Sequence, residues 1–380
     1  MSWEYKTLDE LGSVSRGRSK HRPRNDETLF GGKYPFVQTS DVKKANLYLT
    51  EYENTYNEKG LEQSKLWKAG TLCITIAANI ADTAILGIDA CFPDSVMGFI
   101  PYGGIANVKF VKYAFDMLQR DCKQISQGTA QDNLSWKKLS TIKFPAPDIE
   151  VQNKIVNYLS AYDDLIENNK KQIKLLEEAA ERLYREWFVD FHFPGYEDAK
   201  IVDGVPDGWK NRTVGEVIEK PARSKQIMTS NYQKSGLIPI IDQSRDFIAG
   251  YTNDAEALVE KDVPVIVFGD HTRVLKYIQF PFAKGADGTQ LIISNCDEMP
   301  QSLLYCSLVS IDLSNYHYAR HFKYLKAEEV LIPTLEIANM FDKFCSEIFE
   351  EIQCKRNQIV KLTEARDRLL PQIMNGEVEI

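Results

Sequence analysis

The chain has 380 residues, of which 43% are hydrophobic and 26% are charged, and its formal net charge is −8. This length is too great for one ordinary core and suits two domains of about 100 to 200 residues each, while the negative charge argues against a protein that coats nucleic acid indiscriminately. Seven widely spaced cysteines without a CxxC pair, and a start without an apolar targeting segment, predict a reduced, cytoplasmic protein.

The sequence contains an internal repeat. A motif at the start returns in the middle of the chain at an offset of 206, as Trp3/Trp209, Thr7/Thr213 and Glu10/Glu216. Residues 147–183 then match residues 333–369 without a gap at an offset of 186. The repeat predicts two similar units in one chain, each a globule followed by a helix.

Each globule is predicted to be rich in short strands. Apolar, β-like runs bounded by turn residues occur at residues 34–39, 71–77, 238–242 and 263–268. The longest apolar stretch, residues 72–92, includes Asn79, Asp82 and Asp89. Because each charge near a bilayer centre costs roughly 3 kcal/mol, we interpret this stretch as a pair of strands and not as a membrane span.

A long helix is predicted after each globule. Residues 149–188 contain no Gly or Pro, and their apolar positions alternate at spacings of four and three, the rhythm of helices that wind together. The first seam comprises Ile155, Leu159, Tyr162, Ile166, Asn169, Ile173, Leu176, Ala180, Leu183 and Trp187. The second comprises Phe341, Cys345, Ile348, Ile352, Lys355, Ile359, Leu362, Arg366, Leu369 and Ile373. Two such seams in one chain predict an antiparallel coiled coil.

The apolar stripe of the first helix is wider than a two-stranded coil needs, because Val156, Leu165 and Leu175 lie beside the seam. Helices of a partner protein could cover the rest, so the seam is also a predicted docking surface. Asn169 and Lys355 occupy the same seam position in the two copies. Each of them either fixes the register of the pair or reaches solvent at its edge.

These patterns predict an α+β chain with an internal pseudo-two-fold duplication. The domains are a first globule (residues 1–147), a central helical spacer (148–192), a turn-rich linker (193–208), a second globule (209–332) and a carboxyl-terminal helical spacer (333–380).

Motifs for nucleic-acid chemistry are absent from the sequence. It contains neither a Gly-x4-Gly-Lys-Ser/Thr phosphate loop nor an Asn/Asp-Pro-Pro-aromatic tetrapeptide, and no Pro-Asp is followed at a suitable distance by Glu-x-Lys. His317 and His321 are spaced to share a metal ion on a helix, but no third ligand follows. The sequence therefore predicts no catalytic residue and no metal site.

A basic loop follows the first motif. Five cations fall within nine residues, and two of them recur at an offset of 205; the residues are Arg16, Arg18, Lys20, Arg22 and Arg24, with Arg223 and Lys225 in the second copy. Such loops suit phosphate contact, since each neutralised phosphate releases counterions. A solvated surface loop would have the same composition.

Amide- and hydroxyl-rich turns are candidate base readers, because Asn and Gln can pair with adenine and Arg with guanine. The candidates in these turns are Gln38, Ser40, Gln127, Thr129, Gln131, Asn133, Gln243 and Arg245. His271 and Arg273, which follow a predicted strand, are candidates for the same role. The alternative for each is ordinary turn and cap chemistry.

Several segments, taken in order, resemble one known family across nearly the whole chain. They are residues 34–41 (YPFVQTSD), 127–134 (QGTAQDNL), 142–147 (IKFPAP), 187–195 (WFVDFHFPG), 241–250 (IDQSRDFIAG), 267–273 (VFGDHTR) and 285–288 (GADG). Together with the order of parts, these segments are similar to the specificity subunit of type I restriction-modification enzymes.

The resemblance implies a non-catalytic DNA-recognition subunit. Its globules would be target recognition domains, each reading one half of a bipartite target in double-stranded DNA. The helices would set the spacing between the halves and dock methyltransferase subunits and, through them, a motor-nuclease subunit. S-adenosylmethionine, ATP and Mg would be bound by these partners, and no cofactor by this chain.

The residues themselves leave two alternatives open. One is a coiled-coil scaffold with duplicated protein-binding domains, and the other is a stand-alone DNA methyltransferase or nuclease. The second copy also departs from the first, because residues 316–322 (YHYARHF) stand where the first copy has residues 130–136. The two globules are therefore expected to read different bases.

Overall fold

The computed structural model describes residues 3–77, 81–126, 136–221, 224–260, 264–316 and 320–378. The chain divides into two compact units, unit 1 (Met1–Asn168 with Gln358–Ile380) and unit 2 (Asn169–Asn357).

The helices include two of 40 residues that follow the two globules. In chain order they are α1 (Leu8–Leu11), α2 (Thr39–Lys44), α3 (Glu58–Glu62), α4 (Val108–Ser126), α5 (Trp136–Leu139), α6 (Ile149–Phe188), α7 (Gln301–Ser310), α8 (Phe322–Leu325) and α9 (Leu335–Met374). Short 3₁₀ turns lie at Glu27–Leu29, Tyr196–Asp198, Val214–Glu216, Thr229–Asn231 and Ala255–Ala257.

The strands are short, as expected where turn residues interrupt apolar runs. Unit 1 contains β1 (Tyr5–Lys6), β2 (Gly12–Arg16), β3 (Phe30–Phe36), β4 (Tyr48–Leu49), β5 (Asn54–Tyr56), β6 (Leu66–Trp67), β7 (Leu72–Thr75), β8 (Thr83–Leu86), β9 (Ala90–Cys91), β10 (Val96–Pro101) and β11 (Phe144–Pro145). Unit 2 contains β12 (Ile201–Val202), β13 (Val205–Pro206), β14 (Lys210–Thr213), β15 (Ile218–Glu219), β16 (Ile238–Ile241), β17 (Gly250–Thr252), β18 (Leu258–Val259), β19 (Val265–Gly269), β20 (Leu275–Ile278), β21 (Phe282–Lys284), β22 (Thr289–Ser294) and β23 (Glu329–Ile332).

The globule of unit 1 is built from a five-stranded sheet of order β2-β10-β7-β8-β4 and a four-stranded sheet of order β5-β3-β9-β6. Its main core joins Ile74 and Phe99 of the larger sheet and Phe110 of α4 to residues of both long helices, such as Leu159 of α6 and Ile373 of α9. The first part of α6 and the last part of α9 are thus integral to this globule.

The globule of unit 2 is built from sheets of order β15-β22-β19-β20 and β17-β16-β21-β18. Its main core joins Ile266 and Phe268 of β19 and Leu304 of α7 to Trp187 of α6 and Phe341 of α9. Here the last part of α6 and the first part of α9 contribute. In each unit, one end of α6 packs with the opposite end of α9, as antiparallel helices do. The supercoil and the pseudo-two-fold axis remain predictions.

The sheet order of unit 1 is repeated in unit 2, strand for strand apart from β4. In the sheet β5-β3-β9-β6 and its counterpart β17-β16-β21-β18 the central pair is parallel, β3 with β9 and β16 with β21. The repeated Thr–Glu motif also has one structure: the backbone amide and hydroxyl of Thr7 donate to Glu10 at 2.7 and 2.8 Å, and those of Thr213 donate to Glu216 at the same distances. Each motif caps a helical turn.

The α+β prediction is confirmed, and both predicted helices extend over the expected residues. The apolar stretch at residues 72–92 forms β7, β8 and β9, with β7 and β8 antiparallel. Within the described part of the chain, no helix is both long and apolar enough to cross a membrane. The segment predicted as a turn-rich linker holds the β12–β13 hairpin, and the ring of Phe193 lies 4.9 Å from that of Trp209.

Candidate nucleic-acid interface

The basic loop, residues 16–24, is anchored to unit 1 by its backbone. The amide of Arg18 donates to the carbonyl of Phe92 at 3.0 Å, and the hydroxyl of Ser64 donates to the carbonyl of Arg18 at 2.8 Å. Gly17 allows this approach, because a Cβ at that position would lie 2.3 Å from the carbonyl oxygen of Pro93. The loop therefore presents its side chains from a fixed frame.

Two of its five cations brace the loop. Arg24 donates to both carboxylate oxygens of Asp94 at 2.7 and 2.9 Å. Arg22 donates to the backbone carbonyls of Ser19 and His21 at 2.7 and 2.8 Å, and its guanidinium lies 3.8 Å from Asp94. Both arginines thus stabilise the conformation of the loop.

The other three cations are unengaged. Arg16, Arg18 and Lys20 are exposed, whereas Gly17 and Ser19 between them are buried. None of the three side chains forms an ion pair or hydrogen bond with another residue in the described ranges. This alternation puts three free cations on the outer side of an anchored segment, which is the arrangement that a phosphate backbone can neutralise.

Of the predicted base readers of the first globule, two lie at the start of α2 and the others lie outside the described ranges. Gln38 is the N-cap of α2, and its backbone amide donates to Asp41 at 2.8 Å in a capping box. Ser40 is half-buried in the first turn of that helix. Gln127, Thr129, Gln131 and Asn133 lie outside the described residues.

The second copy of the basic loop is different. Arg223 lies outside the described residues, and Lys225 is held by Asp254 and Glu256 at 2.7 and 3.0 Å. These two carboxylates, Asp254 first, raise the pKa of Lys225. Duplication of the motif therefore does not give unit 2 a free cation at Lys225.

Two predicted residues of unit 2, Gln243 and His271, meet just after the ends of β16 and β19, and Arg245 lies in the same loop as Gln243. The side chain of Gln243 donates to the carbonyl of Asp287 at 2.7 Å and accepts from the backbone amide of His271 at 3.1 Å. The amide of Gln243 is thus occupied by backbone partners. The imidazole of His271 and the guanidinium of Arg245 are exposed, and neither is bonded to another residue that the structure describes.

Arg273 faces inward instead. It has a left-handed backbone conformation, with φ of 61°, and its guanidinium donates to the carbonyl of Tyr316 at 2.8 Å and to the ring of His321 at 3.2 Å. Burial, followed by the charge of Arg273, lowers the pKa of His321. His317 lies outside the described residues. Among those described, no group of three or more His, Cys, Asp or Glu is placed to hold a metal ion.

Sequence reasoning missed the residue that fixes the loop carrying Arg245. Lys276 of β20 is 4% exposed, and its ammonium donates to the carbonyls of Asp242 and Asp246 at 2.8 and 2.5 Å. Burial lowers the pKa of Lys276 to about 8. A lysine within an apolar β pattern is the only sequence signal that could have indicated this role.

Lys276 makes the stability of unit 2 depend on pH. Because its pKa is about 8 in the folded state and 10.5 ordinarily, the unfolded state binds more protons between these values, and folding stability gains as pH rises through that window. The melting temperature of the wild type relative to Lys276→Met is therefore expected to be higher at pH about 9.5 than at pH about 7.5. A difference that does not change with pH would contradict this assignment.

The predicted seam residues lie on the inner faces of the helices. In unit 1, Ile155, Leu159 and Ile166 are buried, and Tyr162, Ile359, Leu362 and Leu369 are half-buried. In unit 2, Asn169, Phe341 and Ile352 are buried, and Ile173, Leu176, Leu183, Ile348 and Lys355 are half-buried. Lys355 pairs with Glu351 of its own helix at 2.9 Å.

Unit 2 has an apolar groove between its two helix segments. The groove has a volume of about 510 Å³ and is lined by Leu176, Ala179, Leu183, Trp187, Phe344, Glu347, Ile348 and Glu351. Phe344 is 51% exposed, and its ring lies 6.1 Å from that of Trp187. Of the positions predicted to flank the seam, Val156 is buried, but Leu165 and Leu175 are 51% and 63% exposed.

Comparison with known proteins gives consistent results for sequence and fold. Residues 1–178 match the family described as the type I restriction modification DNA specificity domain. The chain is 26% identical over 409 residues to the type I restriction enzyme MjaIX specificity subunit of Methanocaldococcus jannaschii, covering 100% of this chain and 94% of that one. It is also 26% identical over 201 residues to the EcoR124I/EcoR124II specificity subunit of Escherichia coli, covering 47% and 48% of the two chains.

The fold resembles that of the S subunit of a type I restriction-modification system from M. genitalium. The TM-score is 0.58 at 17% sequence identity, with 98% of this chain and 96% of that chain covered. This likeness concerns the fold alone. On these matches, residues 1–178 are similar to the type I restriction modification DNA specificity domain, and the chain as a whole is similar to type I restriction enzyme specificity subunits.

Proposed function

We propose that this chain is the DNA-reading subunit of a type I restriction-modification complex, with each unit reading one half of a bipartite target. As a specificity subunit it is not itself an enzyme. The repeated sheet order is the observation that carries the proposal, because it gives one chain two similar domains, each packed on two helix segments.

The phosphate contacts of unit 1 are assigned to Arg16, Arg18 and Lys20, whose charges have no partner among the described residues. Arg245 and His271 are the corresponding free groups of unit 2. With a net charge of −8, the chain alone should bind DNA weakly, since only local cations oppose the general repulsion. Affinity rises when methyltransferase subunits close around the duplex.

The helices are the proposed docking surface for the methyltransferase, and the motor-nuclease joins through that complex. S-adenosylmethionine, ATP and Mg belong to these partners. In unit 2 the groove beside Phe344 supplies exposed apolar surface, and Glu347 gives its rim negative charge, whereas Glu351 is paired with Lys355. The segment that fits it is apolar and flanked by Lys or Arg. The helix repeat places another exposed aromatic residue, Tyr158, at the position equivalent to Phe344.

Replacing Phe344 with alanine is expected to weaken methyltransferase binding about tenfold, because exposed aromatic residues in apolar grooves are frequent anchors of protein interfaces. Titration of the full chain with the methyltransferase subunit, followed by calorimetry, measures the effect. Leu335→Ala is the matched control, since Leu335 is a similarly exposed residue of α9, at 49%, outside the groove lining. Equal losses in both variants would argue against the groove.

The function itself is tested by reconstituting the full chain with its methyltransferase subunit. Mapping of methylated adenines on genomic DNA should give one split sequence motif, and footprinting should show two protected half-sites on one duplex. Methyl transfer by the chain without any partner would instead support a stand-alone enzyme. Absence of any footprint with the methyltransferase present would support a protein-binding scaffold.

A further inference from the structure

A buried carboxylate lies where the globule of unit 1 meets both helices. Asp163 of α6 is 1% exposed and accepts hydrogen bonds from the hydroxyl of Tyr113 at 2.5 Å, from the guanidinium of Arg366 at 2.5 Å and from the amide of Asn46 at 3.0 Å. Arg366 also donates to the side-chain oxygen of Asn46 at 2.8 Å. These four residues are called the Asp163 node.

The Asp163 node connects four segments of unit 1. Asn46 lies between α2 and β4, Tyr113 belongs to α4, and Asp163 and Arg366 belong to α6 and α9. Two of the four residues therefore come from the globule and two from the helices. Burial, with the charge of Asp163 beside it, raises the pKa of Tyr113 and keeps its hydroxyl a donor. Charge-assisted hydrogen bonds of this kind are directional, so they fix an angle as well as a contact.

The equivalent place in unit 2 is apolar. The offset of 186 relates Asp163 to Phe349 and Arg366 to Ala180. Phe349 and Ala180 are 4% and 3% exposed within the core of unit 2, and the ring of Phe349 lies 5.4 Å from that of Tyr305 on α7. At the two positions equivalent to Asp163 and Arg366, unit 2 thus has an apolar contact; its α7 is joined to α9 elsewhere by the hydroxyl of Ser302, which donates to Asp342 at 2.6 Å.

The contrast points to a role for the Asp163 node beyond stability. A buried ion pair is a weak source of stability compared with apolar residues of similar volume, whereas it can specify one arrangement among several. Apolar contact is non-directional and tolerates small rotations. The node excludes such rotations of the first globule, because four donor and acceptor positions must coincide.

We infer that the Asp163 node is a positioning device that sets the angle of the first recognition globule on the two helices, and thereby the spacer length that the chain accepts between half-sites. The inference rests on the proposed function. Asp163, Tyr113, Asn46 and Arg366 are positioning residues in this account, and none of them contacts DNA.

The test uses the full chain reconstituted with its methyltransferase subunit. Duplexes carry both half-sites, with the spacer at its native length or changed by one base pair in either direction, and methylation rates are compared. Tyr113→Phe removes one hydrogen bond from Asp163 and retains the ring, and Asp163→Asn weakens all of them. Both variants are expected to lower the preference for the native spacer roughly tenfold, the effect of a hydrogen bond to a charged group, while the half-site sequences stay unchanged.

Tyr305→Phe is the matched control, because the Tyr305 hydroxyl makes no hydrogen bond to a residue that the structure describes. It should keep the wild-type spacer preference. If both node variants also keep it, the node is merely structural and the inference is overturned; should Asp163→Asn fail to fold, Tyr113→Phe decides alone. A wild-type complex that methylates no duplex would instead overturn the proposed function, and the inference with it.

Discussion

Simultaneous replacement of Arg16, Arg18 and Lys20 with alanine is expected to lower the affinity of the reconstituted complex for every duplex, whatever its sequence. If each cation neutralises one phosphate, the slope of log affinity against log salt becomes shallower by about 2.7. Between about 50 and 200 mM salt, the wild type should then lose about 40-fold more affinity than the variant. Binding isotherms at several salt concentrations, on target and non-target duplexes, measure both quantities.

A charge-matched control separates the basic loop from general electrostatics. Lys33, Lys44 and Lys68 belong to the same unit, and each is already paired with a carboxylate, Lys33 with Glu58, Lys44 with Glu53 and Lys68 with Asp89. Their replacement with alanine changes the net charge equally but should leave the salt slope near that of the wild type. A slope that falls as much in the control would remove Arg16, Arg18 and Lys20 from the interface.

The difference between these sets of cations explains why the site was only partly predictable from sequence. Composition identified the basic loop, yet it could not separate Arg16, Arg18 and Lys20 from Arg22 and Arg24. The distinction depends on Asp94, which is 70 residues from Arg24 in the chain. It also depends on two hydrogen bonds of the Arg18 backbone, one to the carbonyl of Phe92 and one from the hydroxyl of Ser64, which anchor the segment so that alternate side chains face outward. Such long-range partners leave no local pattern.

The helices could be predicted better, because their signal is local. A four–three apolar rhythm defines both α6 and α9 from the sequence alone, and α6 also lacks Gly and Pro, whereas α9 contains Pro371 near its end. The same apolar rhythm could not show which polar residues form contacts across the seam. Asp163 lies outside the apolar positions, and Arg366 occupies one of them, so only the packing of α4 beside both helices makes the two a buried pair. Lys276 was missed for the same reason.

Arg366→Ala is expected to destabilise unit 1 by about 3–5 kcal/mol, because it leaves the carboxylate of Asp163 buried without its cation. The guanidinium side chain is 14% exposed and that of Asp163 only 1%, so water can replace little of the lost interaction. The free energy of unfolding, from urea denaturation of the full chain, measures the loss. An effect below about 1 kcal/mol would mean that the pair behaves like an exposed one.

The double variant Asp163→Leu/Arg366→Met tests why Arg366→Ala loses stability. If the loss in Arg366→Ala comes from an uncompensated charge, removing both charges with apolar residues of similar volume should restore most of the stability, as is typical of buried ion pairs. Unit 2 contains Phe349 and Ala180 at the equivalent positions, both buried in its core, so an apolar pair is compatible with this fold. A double variant as unstable as Arg366→Ala would mean instead that the hydrogen bonds to Tyr113 and Asn46 carry the stability. If the double variant is stable but accepts altered spacers, stability and positioning are separable properties of the same four side chains.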